Sequence, residues 1–81
     1  MNIEVKLFAA ARQAANQEML EVEIAEGATV QQLKAELGRQ FPPLKSMLDH
    51  LLVAIDTEYA GEDQVLQAGQ DIALIPPVSG G

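Results

Sequence analysis

One stretch, Thr29 to Phe41, has the spacing of a full amphipathic helix, and apolar strand patterns flank it on both sides. Val30, Leu33, Leu37 and Phe41 recur every three or four residues and fall on one stripe, while Lys34, Glu36 and Arg39 lie outside it. Thr29 opens the helix as a Thr-x-x-Gln capping box, its hydroxyl accepting from the Gln32 N–H and the Gln32 side chain accepting from the Thr29 N–H. Pro42-Pro43 closes it, because the residue before a proline avoids the helical region. A lone apolar stripe must be buried against another layer, so the remaining segments have to supply a sheet with one matching face.

They have the pattern to do so. In Asn2 to Phe8, Ile3, Val5 and Leu7 alternate with Asn2, Glu4 and Lys6, and Phe8 falls on the polar side. Ala9 to Ala15 is a run of strong helix formers, with Asn16-Gln17 suited to its end. Glu18 to Ile24 alternates again, with Leu20, Val22 and Ile24 set against Glu21 and Glu23. The two strands are expected to be antiparallel, joined by the short helix. Glu26-Gly27-Ala28 reads as a turn, and Pro43 opens a second short turn through Leu44, Met47 and Leu48. Leu51 to Ile55 is almost wholly apolar and predicts a buried central strand. Asp56-Thr57-Glu58 is turn-like and Tyr59 starts a short edge strand. Val65-Leu66 sits between the loops Gly61-Glu62-Asp63 and Ala68-Gly69-Gln70. The last strand is Asp71 to Ile75, with Ile72 and Leu74 on one face and Ala73 and Ile75 on the other. Met19 and Met47 read as core filler. The expected fold is α+β, a ubiquitin-like β-grasp: residues 1–75 form a mixed sheet covered by one main helix, and 76–81 form a tail.

Composition removes most side-chain chemistry. The chain has 81 residues, 48% of them apolar and 21% charged, which fits one globular domain. Its net charge is -7, and the basic residues Lys6, Arg12, Lys34, Arg39 and Lys45 are scattered along it, so nucleic-acid binding is not expected. There is no apolar run of membrane-spanning length and no secretory pattern at Met1-Asn2-Ile3-Glu4, so the cytosol is the expected compartment and no membrane partner is expected. Cysteine is absent, which excludes disulfides, thiolate nucleophiles and cysteine metal sites. The single histidine, His50, reads as a loop or cap residue. Glu62-Asp63 with Asp71 reads as a solvated acidic loop and not a cation site. No Gly-x-Ser-x-Gly elbow or glycine-rich phosphate loop occurs. No metal or cofactor of the chain's own is expected.

Attention therefore passes to Pro76-Pro77-Val78-Ser79-Gly80-Gly81. Two consecutive prolines cannot continue a central strand and favour an extended course. Gly80 and Gly81 lack a Cβ and suit a narrow channel. Extended, the tail reaches at most about 20 Å, enough to place the Gly81 α-carboxylate inside another protein's active site. A frayed terminus is the alternative.

Leu7-Phe8-Ala9-x-x-Arg12 and the closing Leu74-Ile75-Pro76-Pro77-Val78-Ser79-Gly80-Gly81 resemble the family of molybdopterin synthase small subunits, and the likeness runs the length of the chain. The resemblance implies a sulfur carrier. A ubiquitin-activating-type enzyme would use Mg-ATP to adenylate the carboxylate of Gly81. A sulfur donor would then leave a thiocarboxylate there, and the tail would enter the large subunit of a heterotetramer to pass sulfur to cyclic pyranopterin monophosphate. It further implies that Phe8, Tyr59 and Ile75 form an apolar docking patch, and that Arg12 serves partner binding or tail support. Leu74 and Ile75 depart from the family, which commonly has aromatics there. Another ubiquitin-like carrier, such as that of the thiamine pathway, a protein modifier, or an interaction domain with an inert tail are the alternatives.

Overall fold

The alternation of Ile3, Val5 and Leu7 gives strand β1 (Asn2–Leu7), whose residues are exposed and buried by turns. In the computed structural model, which describes residues 1–76, the chain continues through helix α1 (Ala9–Ala15), strand β2 (Met19–Glu23), helix α2 (Val30–Gln40), two 3-10 turns, and strands β3 (Leu52–Ile55), β4 (Glu58–Ala60) and β5 (Ile72–Ile75). The sheet order is β2-β1-β5-β3-β4. β1 pairs antiparallel with β2 and parallel with β5, while β3 pairs antiparallel with both β5 and β4. This is the ubiquitin-like β-grasp, with α2 packed across one face of a mixed sheet.

The core lies between that face and α2. Val5 aligns with Ile72 and Leu7 with Leu74 along the parallel pair, and Val30, Leu33 and Leu37 of α2 are buried in the same apolar cluster. Each such aliphatic side chain contributes roughly 1.5–3 kcal/mol when fully buried. Phe41 is half-buried at the edge of this cluster, and Leu44 and Leu48 of the two turns are buried in it. Gly38 allows the second turn to approach α2, since a Cβ there would meet Leu48 Cδ1 at 3.3 Å.

The start of α2 is tied down thoroughly. The capping box forms as expected, with Gln32 N–H donating to Thr29 Oγ1 at 3.3 Å and Thr29 N–H donating to Gln32 Oε1 at 2.8 Å. The two helical N–H groups before Gln32 donate to the loop after β4, Val30 to the Gln64 carbonyl at 2.9 Å and Gln31 to the Glu62 carbonyl at 3.1 Å. These bonds satisfy donors that a helix start otherwise leaves open. Leu66 N–H returns a bond to the Ala28 carbonyl at 2.8 Å and buries its side chain, which explains why Val65-Leu66 stands alone between loops.

Two expectations need correction. The run Leu51 to Ile55 supplies an interior strand, between β5 and β4, and is largely buried as expected, but Leu52 is 40% exposed. Antiparallel pairing of Leu52 with Ile75 and of Ala54 with Ala73 puts this pair of β3 positions on the face away from α2. Because both faces of β3 carry apolar residues, its alternation is invisible in the sequence. Met19 is not core filler either. It pairs with Lys6, an outer-face residue, and is 44% exposed; Met47 is packed against the core as expected.

Thr29→Ala removes the hydroxyl that accepts from Gln32. The expected loss is about 1 kcal/mol, read in a thermal melt as a fall of roughly 4–8 °C for a domain of this size.

Candidate functional site

The face of the sheet turned away from α2 carries the chain's unusual surface. Alternation places Lys6, Ala73, Ala54 and Tyr59 across it in register, through the pairs Lys6–Ala73, Ala73–Ala54 and Ala54–Tyr59. Phe8 follows β1 in extended backbone, with φ -132 and ψ 155, and so stays on this face. Leu52 lies beside Ile75 at the same end. Four of the five exposed large hydrophobics among the described residues (Phe8, Met19, Leu52 and Tyr59) belong to this face, and Ile75 is half-buried in it. Phe8, Tyr59, Ile75, Ala54 and Ala73 line a shallow depression of about 370 Å³ with Lys6, Asp71 and Thr57 on its border. Exposed apolar side chains gathered on one face make it the candidate interaction surface.

Phe8, Tyr59 and Ile75, singled out in the sequence, are thus brought together. Leu52 and Met19 were missed. Their signal was available only from register, because nothing in the run Leu51–Ile55 distinguishes an outward leucine from an inward one. Pro76 leaves β5 at the edge of this surface and is half-buried. The remaining tail positions, Pro77, Val78, Ser79, Gly80 and Gly81, lie outside the described residues.

Polar bonds fix the lower border. Asp56 N–H donates to the Asp71 carbonyl at 2.8 Å, and Asp71 N–H donates to Asp56 Oδ1 at 2.9 Å. Lys6 Nζ lies 3.1 Å from Asp71 Oδ1, so β1, β3 and β5 are joined at the point where β5 begins. The β3–β4 hairpin closes through Asp56 and Thr57, with Ile55 paired to Glu58 and φ values of 51 and 72 at the two turn residues. Positive φ at both positions is the turn that matches strand twist, and glycine is favoured in it. A β-branched threonine in this region is an outlier, at a cost of about 1–2 kcal/mol.

Arg12 is not part of this surface. On α1 it lies 3.1 Å from Glu18, both side chains being well exposed, an arrangement that adds little stability. His50 ends the second 3-10 turn and is exposed. Glu62 and Asp71 reach different lysines, Lys34 at 3.9 Å and Lys6 at 3.1 Å, and do not converge. The basic residues are less scattered than the sequence suggests. Lys34, Arg39 and Lys45 line one depression beside Gly38, because the close approach of the turn after α2 carries Lys45 to the helix. Acidic groups offset them: Asp49 and Glu62 share the depression, and Glu36 accepts from Arg39 Nη2 at 2.7 Å. The Arg39 guanidinium first, then the Gln40 amide, hold the Glu36 carboxyl below the usual carboxylate range.

Two measurements check this assignment of faces. Leu52→Ser is expected to change stability by no more than about 0.5 kcal/mol, as surface substitutions do, whereas Leu74→Ala is expected to cost about 2–5 kcal/mol in the core; urea denaturation separates them. Followed by NMR, Glu36 is expected to titrate below an ordinary glutamate, and Arg39→Ala to raise its midpoint. The stabilisation from this pair is present above the unfolded carboxylate value and is lost as pH falls through the lowered folded one.

Comparison with known proteins places these features. The ThiS family model matches residues 5–81. The molybdopterin synthase sulfur carrier subunit of Arabidopsis thaliana is 33% identical over 81 residues, covering 100% of this chain and 84% of the relative. The small archaeal modifier protein 1 of Haloferax volcanii superposes with a TM-score of 0.86 at 32% identity, each chain being covered completely (100%). A chain from the complex of subunits 1 and 2 of the molybdopterin-converting factor of Helicobacter pylori superposes with a TM-score of 0.69 at 26% identity, with 100% of both chains covered. With its β-grasp core and its likeness to sulfur carrier subunits over its whole length, the chain belongs to the ThiS family.

Proposed function

We propose that the protein is the sulfur carrier subunit of molybdopterin synthase and that the C-terminal carboxylate of Gly81 is its working group. The observation that carries this reading is the family match through Gly81, directly after a strand that ends on an apolar surface. With no cysteine in the chain, no side-chain thiol is available to hold sulfur.

The chemistry follows from what a carboxylate lacks. It is a poor acyl electrophile because its oxygen is a poor leaving group, and activation divides one hard step into two easier ones. A ubiquitin-activating-type enzyme joins the Gly81 carboxylate to the α-phosphorus of Mg-ATP, releasing pyrophosphate. Sulfur at the sulfide level, delivered by the donor as hydrosulfide, then attacks the acyl carbon. A C–S bond forms, the C–O bond to AMP breaks with release of AMP, and a thiocarboxylate results. The large subunit receives the tail and the sulfur passes to cyclic pyranopterin monophosphate while water restores the Gly81 carboxylate; two such transfers supply the two sulfurs of the molybdopterin dithiolene. In this cycle the surface formed by Phe8, Leu52, Tyr59 and Ile75 docks each partner, and Pro76 and Pro77 direct the tail away from β5. Val78 and Ser79 make the contacts along the partner's channel, and the absence of Cβ at Gly80 and Gly81 allows close passage. Placing the reacting atom roughly 3 Å from its target is the task of this assembly. ATP and magnesium belong to the activating enzyme.

A second reading, a protein modifier, has a specific observation in its favour: the small archaeal modifier protein 1 of Haloferax volcanii is 33% identical, with 98% of this chain covered. Intact mass spectrometry separates the two. After incubation with ATP, the activating enzyme and a sulfur source, one oxygen at Gly81 is expected to be replaced by sulfur, and the product is expected to be trapped by alkylation. Lysine-linked conjugates without thiocarboxylate would favour the modifier. Gly81→Val is expected to abolish thiocarboxylate formation while leaving the circular dichroism spectrum and melting temperature unchanged. Full activity of that variant would overturn the assignment of Gly81.

A further inference from the structure

We infer that Met19 is an oxidation-sensitive contact of the outer sheet face: conversion of its thioether to the sulfoxide by hydrogen peroxide weakens docking of the molybdopterin synthase large subunit. The inference rests on the docking role proposed above and names a modification that regulates it.

Strand register carries Met19 into the surface that holds the depression. The pairs Met19–Lys6, Lys6–Ala73, Ala73–Ala54 and Ala54–Tyr59 form one row across all five strands. Neighbouring strands lie about 4.8 Å apart, so the row spans roughly 19 Å. Its middle is low, because two alanines occupy it and Ala54 is only 5% exposed. Its ends stand out from the sheet, with Met19 44% exposed on the β2 edge and Tyr59 63% exposed on the β4 edge. Lys6, inside the row, is held by Asp71 at 3.1 Å. Phe8 follows Lys6 by two residues in extended backbone and lies diagonally from Met19 on the same face. A protein surface that covers Phe8, Ala73 and Tyr59 therefore meets Met19 as well.

Met19 is also the sulfur that an oxidant reaches first. The chain has three methionines and no cysteine, so no thiol competes for peroxide. Met1 and Met47 are half-buried and packed against the core. In the reaction the thioether sulfur attacks one oxygen of hydrogen peroxide. An S–O bond forms, the O–O bond breaks and water leaves; sulfur is oxidised by two electrons and the peroxide is reduced. A flexible apolar side chain becomes a polar one. Pressed against an apolar partner surface, the new oxygen loses its hydration without a replacement, which is penalised. A methionine sulfoxide reductase reverses the change, its dithiol becoming a disulfide as the oxygen leaves in water.

The test uses the full chain with Gly81 as the carboxylate, so that no thiocarboxylate competes for the oxidant. After brief treatment with hydrogen peroxide, peptide mass mapping is expected to find one added oxygen at Met19 before Met1 or Met47. Calorimetric titration with the large subunit is then expected to show binding about tenfold weaker than for the untreated protein. Reduction by methionine sulfoxide reductases for both epimers is expected to restore the affinity. Treated Met19→Leu is expected to bind within about twofold of untreated Met19→Leu, well below the value of one lost polar match. Oxidation of Met1 or Met47 ahead of Met19 would overturn the inference. So would a protein oxidised at Met19 that binds as tightly as before, or an equal loss in treated Met19→Leu. Tyr59→Ala and Leu52→Ala separate this failure from that of the docking role. If they weaken binding while the sulfoxide does not, only the inference about Met19 falls; if they too leave the affinity unchanged, the docking role falls with it.

Discussion

The parallel pairing of β1 with β5 is the constraint from which the rest of the structure follows. It brings the first strand of the chain beside the last, with Val5 against Ile72 and Leu7 against Leu74. Parallel strands at the centre of a sheet need long connections, and here everything between Phe8 and Asp71 supplies them. α2 closes the inner face. The outer face is left uncovered along the same two strands, and Phe8 and Ile75 emerge there side by side with Tyr59. One pairing therefore builds the core and also places the candidate docking surface at the root of the tail.

Register matters for the same reason. A slip of one residue in β5 would exchange Ile72 and Leu74 with Ala73 and Ile75, exposing the core pair and burying the outer-face pair. The bonds among Asp56, Asp71 and Lys6 stand where that slip would begin. They are exposed and individually modest, but together with the short hairpin turn they leave β5 a single alignment. The strain at Thr57 belongs to this same corner, beside the candidate surface.

Much of this was legible in the sequence because the relevant signals are local. The capping box at Thr29, the prolines after α2 and the alternation in β1 and β2 each depend on residues within one turn or a few strand positions. The grouping of Phe8 with Ile75 was legible too, since both break the parity of their strands. Leu52 and Met19 were not, for an identifiable reason. Their exposure is decided by the strand each one pairs with, and apolar residues on both faces of β3 erase the periodicity that would have revealed it. The grouping of Lys34, Arg39 and Lys45 was hidden likewise, because it depends on how closely the turn after α2 packs on Gly38. The tail was legible only as composition and resemblance, and its chemistry rests on the family to which the chain belongs.

The central claim is that the outer sheet face, and not the helical side, meets the partners that use the tail. Amide-resolved NMR titration of the protein with the molybdopterin synthase large subunit tests it most directly. The account predicts that the signals of Phe8, Leu52, Thr57, Tyr59 and Ile75 shift or broaden on binding, while those of Lys34, Glu36 and Arg39 on the solvent side of α2 remain in place. Perturbation centred on α2, with the sheet residues unchanged, would contradict it.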